Sequence, residues 1–409
     1  MKDKFNWLYV AVICFLTCYF IELCNFPMFC TLIGSGILFL AFFLKQKTIR
    51  IDLGIILLII TTYSYYIIQY GFRAVAIMIT YVPLMMYVMS VYLAGDFKGT
   101  VDWERKYTII LFTLIVGYAI HGILNSYMYY AGYIKEGTRQ WTDFWTHAYK
   151  PATQHSLLYL PVLSVLFPAI MWFRKNKIRN IFIICLSVFF LYTSIVTNSR
   201  IPIVIVGMIF CGEVILYLFL ESKAIKKVIF NKKVWFATAG FLMIAIVVGY
   251  LIKDIELISN FIDSFSRGGG ILHNVRFELQ AKALKQLFDY PMGGRQMDLY
   301  FNYERQYIHN TWLDMANASG IIPFFAFAAF TVYSVINLIR FLLKKEVSIE
   351  VKIITAGLYV MFFLFYSVEP AFDASINYIS PWMLINGMIQ GLLSNDGIKL
   401  DFLRSTNEK

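Results

Sequence analysis

Apolar residues along this chain neither alternate with polar ones nor recur at the threes and fours of a soluble helix. They run on for about twenty residues at a time, separated by short polar stretches rich in lysine and arginine. A helix rises about 1.5 Å per residue and a bilayer's hydrocarbon core is about 30 Å thick, so each such run is one crossing. Within lipid every backbone N–H and C=O must be paired inside its own segment, which leaves helices as the spanning element. The pattern predicts twelve spans, over residues 7–24, 26–44, 51–70, 74–95, 107–130, 155–173, 180–198, 201–220, 234–252, 318–342, 351–369 and 378–394. The expected fold is all-α, a polytopic integral membrane protein forming one unit over residues 1–409. Repeats of fixed period, low-complexity tracts and linkers to a soluble domain are absent from the sequence.

Composition agrees with that class: 59% of residues are apolar and 15% charged. The net charge of +11 then orients the spans. With a cytoplasmic N-terminus, the inside segments are 1–4, 45–50, 95–106, 174–179, 221–233, 340–352 and the C-terminal tail, which together hold 24 of the 36 basic residues. Cytoplasmic loops retain Lys and Arg, so the charge reads as topology, with both termini cytoplasmic. A nucleic-acid footprint would be one concentrated patch on a soluble domain, and no nucleic-acid partner is expected. The first run follows Lys2 and Lys4 but lacks a small-residue cleavage site, so it reads as an uncleaved span. Cys14, Cys18, Cys24, Cys30, Cys185 and Cys211 fall in or beside apolar runs and read as small core residues, not as disulfides or metal ligands.

Two outer loops are long enough for chemistry, 131–154 and 253–310. In the larger one, Phe277, Leu279, Ala283, Leu284 and Leu287 recur at mixed threes and fours while Arg276, Lys282 and Lys285 fall elsewhere. This predicts an amphipathic helix over 274–288 lying along the membrane surface. Its first turn carries His273, Asn274 and Arg276, where free N–H groups and the helix dipole favour an anion. Arg276 there either binds a phosphate or snorkels to lipid headgroups. Arg200, in the tight outer turn of IVTNSRIPIVIV, runs against the inside bias, and Pro202 restarts the helix after it. A headgroup or a polyanionic substrate must compensate its charge, and the substrate is the favoured choice.

The larger loop ends in YIHNTWLDMANASG, which places His309 at the membrane interface at the head of a helix. An imidazole can take a proton from an attacking hydroxyl, although a lone histidine is more often structural. His309-Asn310, nine residues, then Gly320 resembles the His-Asn-x9-Gly-x-x-Gly signature of the O-antigen ligase and O-antigen polymerase superfamily. TNSRIPIVI resembles that superfamily's Ser/Thr-Arg segment, and NVRFELQAKALKQLFDYPMGG its Arg-containing loop helix with a Pro and Gly turn. The likeness covers about residues 190–340. Pro323 replaces the second glycine, and Ala318 stands where many members carry an acid, so an acid-assisted role there is absent or supplied elsewhere.

The resemblance implies a GT-C-like helical fold in the bacterial inner membrane, with the active site on its outer face. It implies a glycosyltransferase whose donor is a glycan on undecaprenyl pyrophosphate, whose acceptor is a glycan or lipid, and which needs no metal or other cofactor. Arg200 and Arg276 would hold the pyrophosphate and His309 would activate the acceptor hydroxyl with inversion. Asn310 would fix the ring or acceptor, with Arg295, Arg305 and Arg139 as further cations for pyrophosphate or glycan. A polymerase is favoured over a ligase that moves finished glycan to lipid A core or another acceptor; a chain-length regulator is a conceivable partner. Twelve spans also suit a transporter or flippase, but the spans hold little charge and the great loop falls asymmetrically.

Other residues add less. Asp289, Asp298 and Glu304 are scattered, so ligand spacing for a metal is missing from the outer loops. The rings of Trp141, Phe144, Trp145, Tyr300, Phe301, Tyr303 and Tyr307 suit headgroup anchoring better than sugar stacking. Glu213 is the one carboxylate deep in a span, an ion site or half of a buried pair.

Overall fold

A computed structural model describes residues 7–25, 28–71, 74–221, 232–251, 275–301, 304–305, 308–369, 378–394 and 398–399. Its helices in chain order are α1 (Trp7–Ile21), α2 (Met28–Gln46), α3 (Leu53–Tyr70), α4 (Ala74–Phe97), α5 (Trp103–Tyr130), α6 (Ala152–Leu163), α7 (Leu166–Met171) and α8 (Lys177–Val196). They continue with α9 (Ile201–Glu221), α10 (Lys232–Leu251), α11 (Val275–Lys285), α12 (Thr311–Ser319), α13 (Ile321–Leu343), α14 (Ile349–Val368) and α15 (Ser380–Leu393). Three two-stranded antiparallel ribbons join them: β1 (Thr48–Ile49) with β6 (Ile398–Lys399), β2 (Gln140–Thr142) with β3 (Tyr149–Pro151), and β4 (Tyr300–Phe301) with β5 (Glu304–Arg305).

Each apolar run in the sequence contains helix. Six helical segments are long and apolar enough to cross a membrane: Trp103–Tyr130, Ala152–Met171, Lys177–Val196, Ile201–Glu221, Ile321–Leu343 and Ile349–Val368. Shorter apolar helices cover Trp7–Ile21, Cys30–Gln46, Leu53–Ile68 and Trp235–Val248. The protein is thus mostly helical and membrane-embedded in character.

The helices pack closely where side chains are small. In α15, Gly387 lies against Tyr87 O and Ser90, and Gly391 against Val91 O and Ala94, so the α15 backbone sits directly on α4. Glycines four apart allow this approach, which lipid-embedded helices use because apolar burial gives little drive between them. Buried hydroxyls return to their own helix, as Ser126 does to Gly122 O, Ser194 to Phe190 O and Thr355 to Val351 O. That satisfies them without water.

Contacts sort the connections to two ends of the bundle. At one end Lys45 meets Asp96, Arg50 reaches Ser394, Glu104 accepts from Ser348 N, and Lys175 and Arg179 pair with Glu350. At the other, Lys150 meets Glu22, Trp145 donates to Ile21 O, and Arg276 meets Glu369. The first end gathers the short basic segments, the second the two long loops.

Three expectations change in detail. Residues 155–173 are not one continuous helix: α6 stops at Ser164, whose hydroxyl donates to Pro161 O, and α7 begins after Val165. Pro168, four residues after Ser164, has no N–H to give Ser164 O and its ring crowds that carbonyl, which accounts for the break. The span expected at 318–342 begins instead at Ile321, because Gly320, at φ +85, ends α12 and turns the chain. The cysteines are free thiols, but five of them (Cys14, Cys24, Cys30, Cys185 and Cys211) lie on the apolar surface and only Cys18 is partly covered. A small thiol is tolerated facing lipid as well as in a core.

Glu213 of α9 lies beside Gly357 of α14 and Ser164 O at the α6–α7 break, and a side chain at Gly357 would collide with both. Among the described residues its Oε1 has no hydrogen-bond partner.

Candidate functional site

The helix α14 ends at Val368, and Glu369 leaves it in extended backbone, at φ −142 and ψ 148. Its carboxylate side chain is only 8% exposed. A buried carboxylate needs compensating charge and hydrogen bonds. Two sequence-distant side chains meet it, and the guanidinium of Arg276 supplies the charge. Arg276, one residue into α11, donates from Nη1 to Val368 O at 3.1 Å and stands 3.4 Å from Glu369 Oε1. His309 Nδ1 stands 3.5 Å from Glu369 Oε2. These are ion-pair separations, looser than a tight hydrogen bond. The arginine side chain is 33% exposed and the histidine 29%, so both keep an open face above the buried acid.

The backbone around His309 is held from several sides. Asn310 caps α12, accepting from Leu313 N at 3.1 Å, and its amide donates to Ser367 O at 3.3 Å. Such a cap satisfies an otherwise orphaned N–H. Asp314 accepts from Asn310 N and Ile308 N, Thr311 Oγ1 donates to Glu369 O at 2.7 Å, and His309 takes a left-handed φ of +55. The amide of Asn310 is therefore spent on the scaffold that aims His309.

The loop helix reaches this place by packing on protein. Leu279, Ala283 and Leu287 bury against Met297, Leu299, Ile308, Leu313 and Ala316. Phe277, Leu284 and Phe288, seven and four residues apart, stay more than half exposed on the opposite face, where they suit lipid. The residues His273 and Asn274 of the expected first turn lie outside the described residues.

The Pro-Gly turn after α11 clamps the far end of α12. Gly294 N donates to Ala318 O, Arg295 N to Asn317 O and Ile321 N to Pro291 O. Any side chain at Gly293 would come within 2.5–2.7 Å of the backbone of Ala318, Ser319 and Gly320. Both glycine landmarks of the sequence are thus two halves of one backbone contact, and both take positive φ.

Of the other cations, Arg295 sits at this clamp, about 13 Å from His309 by the nine-residue length of α12. Arg139 donates to Asn198 O at 3.2 Å, so it braces the turn that carries Arg200. That turn is otherwise held by Ser199, whose hydroxyl meets Ser156 Oγ at 2.5 Å. Helices α9 and α14 pack antiparallel, and Glu213 abuts Gly357. Counting twelve residues outward from each reaches Ile201 and Glu369, about 18 Å along both axes. Braced by Arg139 of the smaller loop, Arg200 lies at the end of the bundle that holds the long loops. Arg305 pairs its backbone with Tyr300, and its side chain lies outside the described ones, as do those of Tyr300, Phe301, Tyr303 and Tyr307.

Sequence reasoning missed Glu369, and it also missed a second cluster under the smaller loop. Asp143, fully buried, accepts from His121 Nε2 (3.1 Å), Asn125 Nδ2 (2.9 Å), Lys150 Nζ (2.9 Å), Thr146 Oγ1 (3.0 Å) and the N–H groups of Trp145 and Thr146. Burial would raise this carboxyl, but the His121 hydrogen bond, the charges of Lys150 and His121 and the Thr146 N–H prevail, holding it well below the usual carboxylate range. Burial alone would lower Lys150, but Tyr378, Glu22 and Asp143 outweigh it and the amine is raised. Tyr378 also lies within electrostatic reach of Glu369, so the two clusters border one another. The signal available in the sequence was His121 and Asn125, four apart inside an apolar run, which places them on one face of α5.

Ligand atoms of Glu22, His121 and Asp143 lie within 4.8 Å of one another, a grouping that a scan for local spacing cannot find. The ammonium of Lys150 stands among them, 2.9 Å from Asp143 Oδ2 and 3.8 Å from Glu22 Oε2, and supplies the positive charge that a cation would bring. This donor set does not fit a metal. Nor is Trp141 placed as a headgroup anchor. Trp141 is 1% exposed, stacked at 4.0 Å on His155, and Trp145 donates to Ile21 O at 2.7 Å.

Replacing Asp143 with alanine strips a hydrogen-bond partner from the buried His121 and Asn125 and leaves the half-buried Lys150 to Glu22 and Tyr378, a loss of about 1–3 kcal/mol in stability. The folded-state pKa of Asp143 is depressed, so its contribution is present above the unfolded value near ~3.9 and fades as pH falls below it. Thermal unfolding in detergent at neutral pH checks the first statement. Acid titration checks the second, with wild type losing more stability on acidification than the variant.

Compared with models of known protein families and with curated proteins, the chain matches none.

Proposed function

We propose that this protein is a surface-polysaccharide polymerase of the bacterial inner membrane, transferring glycan from an undecaprenyl-pyrophosphate donor to a sugar hydroxyl of a lipid-linked repeat unit. The observation that carries it is the meeting of Arg276 and His309 over the buried Glu369, at the end of the bundle where the long loops lie. The reading includes twelve spans, a GT-C-like arrangement, cytoplasmic termini and an outer active site.

In this mechanism Arg276 and Arg200 hold the pyrophosphate. As the anomeric C–O bond to phosphate breaks, its electron pair moves onto the pyrophosphate, and fixed guanidinium charge in a partly desolvated place stabilises it. The acceptor oxygen forms the new bond from the opposite face, which inverts the carbon. Its proton passes to His309, whose imidazolium Glu369 then faces from below. Glu369 is a positioning residue here: it holds His309 and Arg276 at a common level and supplies the acid missing at Ala318. Asn310 acts through the cap that aims His309.

Deleting the gene in its native host and displaying surface and lipid-linked glycans on a gel tests the reading. The expected result is a single repeat unit in place of a ladder, restored by the wild-type gene. Full-length polymer stranded on the lipid carrier would identify a ligase, and an unchanged ladder would point to a transporter.

A further inference from the structure

A cavity of about 900 Å³ opens at the basic end of the bundle, between the first turns of α5, α8 and α14. It lies far from Glu369: Glu350 on its wall and Glu369 are nineteen residues apart, about 28 Å along α14. Its size falls within the roughly 300–1,000 Å³ of ordinary ligand sites.

The cavity has a charged mouth and a mostly apolar shaft. Three cations, Arg105, Lys175 and Arg179, and three carboxylates, Asp102, Glu104 and Glu350, line the mouth. Ile109, Phe112 and Val116 line the shaft. On α5, Arg105, Ile109, Phe112 and Val116 follow helical spacing, so mouth and shaft form one stripe of twelve residues, about 16 Å long. That is about half of a 30 Å hydrocarbon core, the depth of a single leaflet.

We infer that this cavity seats one zwitterionic glycerophospholipid, headgroup in the mouth and an acyl chain along the α5 stripe. Charge complementarity selects that occupant. Glu350 is already paired, to Lys175 at 2.6 Å and Arg179 at 3.0 Å, and Arg179 also lies over the Phe112 ring at 5.0 Å. Arg105, exposed at the rim, is placed to receive a phosphate. One residue before it, Glu104 uses one oxygen on Ser348 N, and Asp102 pairs with Lys106 at 2.8 Å; their remaining oxygens suit a primary ammonium. A purely anionic headgroup would answer the cations and leave the acids facing it. This inference does not depend on the proposed transferase activity.

The test uses the full chain purified in mild detergent. Native mass spectrometry with added phosphatidylethanolamine or phosphatidylglycerol should show one retained phosphatidylethanolamine per chain and little phosphatidylglycerol. Arg105→Gln should weaken retention about fivefold, the effect of one basic group at a headgroup. Val116→Trp, which fills the shaft, should abolish retention with unchanged circular dichroism; if it does not fold, the exposed Arg105 variant decides alone. Absence of retained lipid, equal retention of phosphatidylglycerol, or retention unaffected by Arg105→Gln overturns the inference.

Discussion

Arg276→Ala is expected to abolish long-chain polymer while protein level and membrane insertion stay normal. Its guanidinium donates to Val368 O and pairs with Glu369, and 33% of the side chain is exposed, so an incoming pyrophosphate can reach it. Removing a group that stabilises developing negative charge typically costs about 10²–10³-fold in rate. Arg276→Lys should retain part of the activity, since an ammonium keeps the charge but loses the planar fork. The ladder on a glycan gel is the readout, with immunodetection in membrane fractions as the control for folding. A normal ladder from the alanine variant would falsify the pyrophosphate role. The buried face of α11 is formed by Leu279, Ala283 and Leu287, so truncating Arg276 leaves its packing intact; Glu369 loses its guanidinium partner, and Arg276→Lys, which keeps the charge, separates that loss from the loss of the fork.

His309→Ala should cost about 10²–10⁴-fold, the range for a lost general base. The backbone of residue 309 has a left-handed φ of +55, which alanine adopts at a penalty. His309→Asn is therefore the better companion variant, because asparagine tolerates that conformation and cannot take the proton. Both should give single repeat units, the asparagine variant from a protein of normal thermal stability and the alanine variant from a somewhat less stable one. Glu369→Gln should fall between these and wild type, since the amide keeps the size and hydrogen-bonding reach but not the charge that faces Arg276 and His309. If Glu369→Gln were as inactive as His309→Asn, the acid would have a direct role in transfer; if fully active, the pairing would be incidental.

Runs of apolar residues predicted where helices form, because a segment in lipid must satisfy its own backbone and has few other choices. The head of α12 was legible in His309-Asn310, since Asn is a strong N-cap and its effect reaches only three residues. The turn at Pro291–Gly294 was legible as a turn, though not as the partner of Gly320. That pairing joins residues almost thirty positions apart and depends on backbone contact, which leaves no side-chain pattern to find.

The sequence by itself determined the membrane class, the positions of the helices, the amphipathic character of α11 and the polar loops that carry His309 and Arg276. Each follows from composition or periodicity within about twenty residues, where physical preferences are local. Only the tertiary structure decided that Glu369, sixty residues beyond His309 at the end of an apolar run, is the acid beneath it and Arg276. The same holds for Asp143, which draws donors from α5 and the β2–β3 ribbon into one buried cluster, and for the crevice along α5. Charges that meet across a bundle are selected by burial, where an unpaired ion is costly, and burial is a property of the packed whole.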